Sequence, residues 1–76
     1  MTGNILKRKN ITVPSGSTSM LFDIEEDYVS GSFWVFEISP DGTTVTRSVT
    51  AETGTYIKLD PAPAPGQKLN IIYEVE

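Results

Sequence analysis

Short segments in which apolar and polar residues alternate recur along this chain, and turns rich in glycine or proline separate them. Their spacing of about 8–12 residues is typical of a β-sandwich or a β-barrel. The last segment, residues 69–76, shows the pattern most clearly. Its apolar side chains occupy every second position, as a half-buried strand requires: Leu69, Ile71, Tyr73 and Val75. The sequence therefore predicts an all-β fold in one domain, residues 1–76: a small antiparallel β-sandwich or partly open barrel of about six short strands.

The predicted strands end at recognisable turns. They cover residues 5–13, 19–24, 32–38, 43–50, 55–59 and 69–76. The segment Ser39-Pro40-Asp41-Gly42 predicts a tight turn, because proline favours the first central position and glycine tolerates a positive φ. A second turn is expected at residues 52–54, and the proline-rich stretch 61–66 is expected to be an ordered crossover at one end of the fold. Helical periodicity is absent, apart from a single turn compatible with residues 25–28.

The composition excludes several kinds of active site. The chain has no cysteine and no histidine, so it lacks a thiol nucleophile, a disulfide framework and the usual general base and zinc ligands. With 76 residues there is little room for a substrate cleft beside a hydrophobic core. A net charge of −4 argues against nucleic-acid binding, which normally requires a basic face. We therefore expect a non-enzymatic protein with no catalytic residues, no cofactor and no nucleic-acid partner.

No membrane-targeting feature stands out in the sequence. Every apolar run is far shorter than the roughly 20 residues of a membrane-spanning helix. The N-terminal residues place positive charges directly after Ile5 and Leu6, without the apolar stretch that a secretory signal needs. We expect a soluble protein that does not bind membranes and that stays in the cytoplasm until it joins a larger structure.

Charge is distributed unevenly along the chain. Lys7, Arg8 and Lys9 supply half of the basic residues, whereas residues 10–76 contain ten acidic and three basic residues, a net charge of −7. Two interpretations of residues 1–10 are open. Either their lysines protect the exposed edge of a strand from pairing with other chains, or they form a basic N-terminal arm that binds an acidic surface of a partner.

Four acidic residues lie close together in the sequence: Asp23, Glu25, Glu26 and Asp27. Calcium prefers oxygen ligands, so Asp23, Glu25 and Asp27 are a weak candidate for a metal site. The spacing matches no EF-hand loop, and a solvated acidic loop explains the same residues without a metal. No bound metal is therefore expected.

The segment 32–38 is apolar on both of its faces. Trp34 and Phe36 lie on one face of the predicted strand and Phe33 on the other, so all three cannot reach the same core. One face is either covered by the chain itself or exposed as a protein-binding surface, where aromatic residues contribute most. Ile72, apolar at an outward position, joins these residues in a predicted interface. A third interpretation is a carbohydrate-binding surface made of three aromatic residues: Tyr28, Trp34 and Tyr56.

Three stretches of the sequence share residue patterns with a known group of β modules. Residues 28–36 fit a Tyr-x-x-Gly-Ser-apolar-x-Val-Phe run, and residues 54–59 fit a Gly-Thr-x-Ile-x-Leu strand. Residues 65–73 are similar to the closing turn and alternating strand of the same modules. Over residues 11–76 the chain thus resembles the small β-sandwich modules of bacteriophage tail fibres, head fibres and related virion appendages.

The resemblance implies a small structural component of a virion or prophage particle, of a kind that commonly forms homotrimers. Two features depart from the group: the turn at residues 39–42 replaces its usual Asn-Gly hairpin, and Gln67 stands where aspartate is usual. We therefore expect an assembly protein, such as a capsid decoration, neck or tail subunit, that binds itself and larger virion proteins. The alternatives are the carbohydrate-binding module and a small regulator or inhibitor that pairs an exposed edge strand with a host protein.

Overall fold

A computed structural model describes residues 4–76, which form seven β-strands and no helix. The strands are β1 (Ile5–Thr12), β2 (Leu21–Asp23), β3 (Trp34–Ile38), β4 (Thr44–Arg47), β5 (Ala51–Thr53), β6 (Tyr56–Lys58) and β7 (Lys68–Val75). A four-stranded antiparallel sheet has the order β1-β7-β3-β4, and a three-stranded antiparallel sheet has the order β2-β6-β5. The two sheets enclose one core, so the predicted all-β, sandwich-like fold is confirmed.

The hydrophobic core lies between the two sheets, and β7 is its main contributor. Every second residue of β7 is buried, from Leu69 to Val75, because one face of this interior strand rests on the core. This agrees with the predicted alternation. The remaining buried apolar residues come from both sheets and their adjoining loops: Val13, Phe22, Ile24, Val35, Ile57 and Leu59.

The structure differs from the predicted strands between residues 43 and 54. The predicted strand 43–50 corresponds only to β4, and residues 52 and 53 of the predicted turn belong to β5 instead. The reason is that β4 pairs with β3 in one sheet while β5 pairs with β6 in the other, so the chain changes sheets in between. The hairpin from β5 to β6 turns at Gly54, whose φ of 58° is typical of glycine in a two-residue loop. Residues 25–28 are irregular, not helical.

Two predicted connections are confirmed. Residues 39–42 form a tight turn in which Gly42 N donates to Ser39 O at 2.8 Å, and Gly42 has a φ of 91°. Residues 61–66 form an ordered crossover that leads from the three-stranded to the four-stranded sheet. Val13 holds the end of this crossover, because its N donates to Gln67 O at 2.8 Å and its carbonyl accepts from Gly66 N at 2.9 Å.

A buried polar network ties the crossover to the four-stranded sheet. Glu37 of β3 is 8% exposed, and its carboxylate forms an ion pair with Arg47 of β4. The same carboxylate accepts hydrogen bonds from the side-chain amide of Gln67 and, at 3.3 Å, from the backbone N of Ala64. The Arg47 guanidinium also donates to the carbonyl of Pro61. The charge on Glu37 is thus buried but partnered, which is the condition under which a buried carboxylate is tolerated.

The loop between β2 and β3 is anchored to both sheets. The Glu52 carboxylate of β5 accepts hydrogen bonds from the Ser30 hydroxyl at 2.8 Å and from the backbone N of Gly31 at 2.9 Å. In the four-stranded sheet, the carbonyl of Glu74 accepts from the backbone N of Val29 at 2.8 Å. Because its anchors lie on different sheets, the loop closes one side of the sandwich.

Tyr73 and Glu26 connect the core to this loop. The Tyr73 hydroxyl donates to the Glu26 carboxylate, which also pairs with Lys7 Nζ at 3.1 Å. The hydrogen bond from Tyr73 and the neighbouring Lys7 lower the pKa of Glu26 below its ordinary value. Burial, together with the bond to Glu26, raises the pKa of Tyr73 to about 12. At neutral pH the Glu26 carboxyl is therefore ionised and accepts the hydrogen bond, while the Tyr73 hydroxyl keeps its proton and donates it.

This pair predicts a pH dependence of stability. A carboxyl whose pKa is lowered by folding stabilises the fold above its ordinary pKa of about 4.3, and this contribution is lost as the pH falls through the lowered pKa. A tyrosine whose pKa is raised to about 12 stabilises the fold below its ordinary pKa of about 10, and this contribution is lost as the pH rises toward the raised value. We expect Tm, followed by circular dichroism, to fall in both windows. The Tm of the Glu26→Gln variant should fall less steeply than that of the wild type as the pH is lowered. If the two Tm values fell equally steeply in acid, Glu26 would not be the source of this pH dependence.

Candidate interaction surface

The side of the four-stranded sheet that faces away from the core, the outer face, carries four of the predicted interface residues: Trp34, Phe36, Ile72 and Arg8. Along β3, the outward side chains are Trp34, Phe36 and Ile38, which alternate with buried residues. Trp34 pairs with Ile72 of β7. On the other side of β7, Arg8 of β1 pairs with the same Ile72. The sheet thus brings together residues that are far apart in the sequence.

An apolar patch runs across this outer face. We call it the outer patch and define it by five residues: Leu6, Trp34, Phe36, Ile38 and Ile72. Trp34 is 49% exposed and Leu6 is 62% exposed, although both side chains are large and apolar. The sequence predicts Trp34, Phe36 and Ile72 at an interface, and the structure places them on one surface. The alternation of side chains along β3 is sufficient to predict that Ile38 belongs to the same face. The position of Leu6 on this face cannot be predicted in that way, because it follows from the register between β1 and β7.

Phe33 lies apart from the outer patch. Its ring packs edge-on against Tyr28, with ring centres 4.7 Å apart, and lies 5.9 Å from the ring of Tyr73. It is partly buried against the core. Phe33 is thus on the opposite side of the chain from Trp34 and Phe36, as the alternation predicts. It packs the sandwich and does not extend the predicted interface.

Two of the three clustered basic residues pair with acids of the same chain. Lys7 Nζ lies 3.1 Å from the Glu26 carboxylate, and Lys9 pairs with Glu25. Both acids belong to the β2–β3 loop, so these pairs fasten the loop to β1. The positive charges of Lys7 and Lys9, which lie apart from the acidic residues in the sequence, are therefore neutralised by acidic residues of the same chain in the fold.

The basic segment forms the edge strand β1 over residues 5–12, which agrees with the first of its two interpretations. Residues 1–3 of the alternative basic arm lie outside the described residues. Lys7 and Lys9 face the loop, and Arg8 alternates onto the outer face. Of the three residues proposed for the arm, only Arg8 belongs to the surface that carries the outer patch.

Polar and charged groups surround the outer patch. Arg8 and Lys68 form no ion pair with the described part of the chain. Glu74, at the other end of β7 from Lys68, accepts a hydrogen bond from Asn4 Nδ2 at 2.8 Å. Asn70 lies between these two ends, and its side-chain oxygen is buried without a hydrogen-bond partner among residues 4–76. The outer face therefore combines two charged ends with an unsatisfied central acceptor.

The acidic loop does not assemble a metal site. The carboxylate of Asp23 accepts hydrogen bonds from the Thr55 hydroxyl at 2.6 Å and from the backbone N of Glu25 at 2.8 Å, which lower the pKa of Asp23. Glu25 pairs instead with Lys9. Across the described chain, no three acidic side chains come together as metal ligands. The three carboxylates of the weak candidate, Asp23, Glu25 and Asp27, are therefore not gathered as ligands in the described chain, and the first two have partners within it.

The three aromatic residues considered for carbohydrate binding do not share a surface. Trp34 lies on the outer face, whereas Tyr56 of β6 is exposed on the three-stranded sheet. The ring of Tyr28 packs against Phe33, and its hydroxyl donates to the carbonyl of Tyr56 at 3.0 Å. These residues therefore form no continuous platform for a sugar.

Comparisons with known proteins do not identify the chain: no protein-family model, curated protein or solved structure matches it. Within residues 4–76, no helix is long and apolar enough to cross a membrane. Function is therefore inferred from the outer patch, from the groups around it and from the resemblance to virion modules.

Proposed function

We propose that this protein is a non-enzymatic structural or accessory component of a phage or prophage virion, such as a capsid decoration, neck or tail subunit. The observation that carries the proposal is the outer patch, where Trp34, Phe36 and Ile72 meet on an exposed sheet face. The resemblance of residues 28–36 to virion β-sandwich modules supports the phage setting. In this proposal the protein is made in the host cytoplasm and functions in the assembled particle.

The mechanism is binding by surface complementarity. Large apolar side chains that lie together on a sheet face gain roughly 25 cal/mol for each Å² that a partner removes from water. A tryptophan at the centre of such a patch is typical of a binding hot spot. Charged residues at the rim, here Arg8 and Lys68, contribute to the orientation of the partner more than to its affinity.

Purified particles provide the test of this function. Particles of the phage or induced prophage that encodes the chain are isolated on a density gradient and analysed by mass spectrometry. We expect the chain at a fixed ratio to the major structural proteins. Trp34→Ser, introduced into the same genome, should lower this ratio at least roughly tenfold, because loss of a hot-spot aromatic residue costs about 2 kcal/mol or more.

Tyr56→Ser is the matched control for this experiment. Tyr56 is 43% exposed, close to the value for Trp34, but it lies on the other sheet. Its substitution should leave the ratio unchanged. Absence of the wild-type chain from purified particles would overturn the proposed function, and normal incorporation of Trp34→Ser would exclude the outer patch as the binding surface.

A further inference from the structure

We propose that the outer patch binds a second copy of this chain, with the two four-stranded sheets face to face. The inference rests on the proposed function, because it names a partner for the same surface. The copies are related by a two-fold axis that lies between the sheets and runs across the strands at the level of Ile71. Such an axis reverses the strand direction in the second copy, and three features of the outer face favour this arrangement.

Charge complementarity is the first feature. Lys68 and Glu74 lie at opposite ends of β7 on the outer face, six residues or roughly 20 Å apart. Reversal of the strand direction places Lys68 of each copy over Glu74 of the other, which makes two equivalent ion pairs. A two-fold axis parallel to the strands would instead bring the two Lys68 ends together. Only the axis across the strands therefore makes the surface complementary to itself.

The aromatic residues are the second feature. Trp34 is level with Ile72, and Phe36 is level with Asn70, so the two rings lie on either side of the axis. Reversal therefore places Trp34 of each copy over Phe36 of the other. The pair covers Trp34 and Phe36 of both copies near its centre, while the ion pairs remain at the rim. This arrangement of an apolar centre and a polar rim is typical of protein interfaces.

Asn70 is the third and independent feature. Its side-chain oxygen is buried without a hydrogen-bond donor in the described chain. Arg8 is level with Ile72 on the neighbouring strand, so the same axis brings Arg8 of the second copy to the level of Asn70. Arg8 forms no ion pair with residues 4–76. Arg8 of the second copy then lies over β1, one strand from Asn70, and its guanidinium can supply the missing donor once the buried Asn70 amide turns toward it as the copies associate.

The outer face is large enough for a reversible pair. β1 and β7 contain 8 residues each, whereas β3 contains 5 and β4 contains 4. At about 3.3 Å per residue and about 4.8 Å between strands, these residues cover roughly 400 Å². The pair therefore buries roughly 800 Å², an area typical of weak and reversible complexes. We therefore expect association that depends on protein concentration.

Sedimentation equilibrium of the full chain tests the pair. We expect the mass to rise from one chain to two as concentration increases. Trp34→Ser should raise the dissociation constant by roughly several hundred-fold, because each pair loses two tryptophans and the loss of each one costs roughly 30-fold. Tyr56→Ser should leave it unchanged. Far-UV circular dichroism checks that each variant is folded.

Charge reversal tests the direction of the axis. Lys68→Glu and Glu74→Lys should each raise the dissociation constant roughly tenfold, because each substitution places like charges together twice. The combined variant restores both ion pairs with exchanged signs and should recover the wild-type affinity. A combined variant that binds no better than the single ones would overturn this arrangement.

The outcomes separate the pair from the proposed function. A chain that stays monomeric up to about 1 mM, or one that reaches the mass of three chains as the resemblance implies, overturns the pair. Its presence in purified particles would still support the virion function. Conversely, a chain that forms the pair but is absent from particles supports this inference and overturns the proposed function.

Discussion

The Glu37→Ala variant is expected to be less stable than the wild type by about 3 kcal/mol. The substitution removes the counter-charge of Arg47, whose side chain is 13% exposed, and the acceptor for Gln67 and Ala64. Removal of one partner from a buried ion pair typically costs about 3–5 kcal/mol. In a domain of this size about 1 kcal/mol corresponds to roughly 4–8 °C, so Tm should fall by at least about 12 °C.

Urea denaturation followed by the fluorescence of Trp34 measures this loss. Glu76→Ala is the control, because Glu76 is exposed, and it should unfold like the wild type. A double variant, Glu37→Leu with Arg47→Leu, should recover part of the loss, since it leaves no buried charge unpaired. If Glu37→Ala were as stable as Glu76→Ala, the network would have no role in holding the crossover.

The Ile71→Ala variant is expected to have a free energy of unfolding about 3–4 kcal/mol lower than the wild type. The same substitution at the next residue, Ile72→Ala, should lower it by only about 1 kcal/mol. Ile71 is fully buried in the middle of β7, and its truncation leaves a cavity between the sheets. Ile72 lies on the outer face, where water fills the space. For 76 residues the total stability is roughly 4–11 kcal/mol, so Ile71→Ala removes a large part of it.

The two isoleucine variants also separate folding from binding. Urea denaturation should show that Ile71→Ala lowers the unfolding free energy more than Ile72→Ala does. Sedimentation should show the reverse for self-association, with the larger increase in dissociation constant for Ile72→Ala. Ile72→Ala should weaken the pair while the monomer remains folded. Equal unfolding free energies for the two variants would mean that the faces of β7 are assigned wrongly.

The sequence predicts the parts of this fold that depend on local pattern. The alternation in residues 69–76 is sufficient to identify the buried face of β7, because a strand side chain has only two directions. The same rule separates Phe33 from Trp34 and Phe36. The turn at residues 39–42 is likewise local, since proline and glycine restrict the backbone themselves.

Features that depend on pairing between distant segments are not predictable in this way. The break between β4 and β5 separates two sheets, yet the threonine-rich stretch that contains it suits a strand throughout. Leu6 joins the outer patch only through the register of β1 with β7. The sequence leaves Lys7 available for a partner, whereas in the fold the loop places Glu26 beside it. Sequence alternation gives the face of a residue, but not its neighbour on the next strand.

The position of β7 has a consequence for how the protein is made. β7 follows the other six strands in the sequence and lies between β1 and β3, and Ile5 at the start of β1 pairs with Val75. Until β7 has been synthesised, β1 and β3 have no common neighbour, and their edges are open to pairing with other chains. Pairing between distant segments also forms slowly. The four-stranded sheet therefore assembles only after translation has passed residue 75, and until then β1 and β3 stay open at the edges that β7 covers.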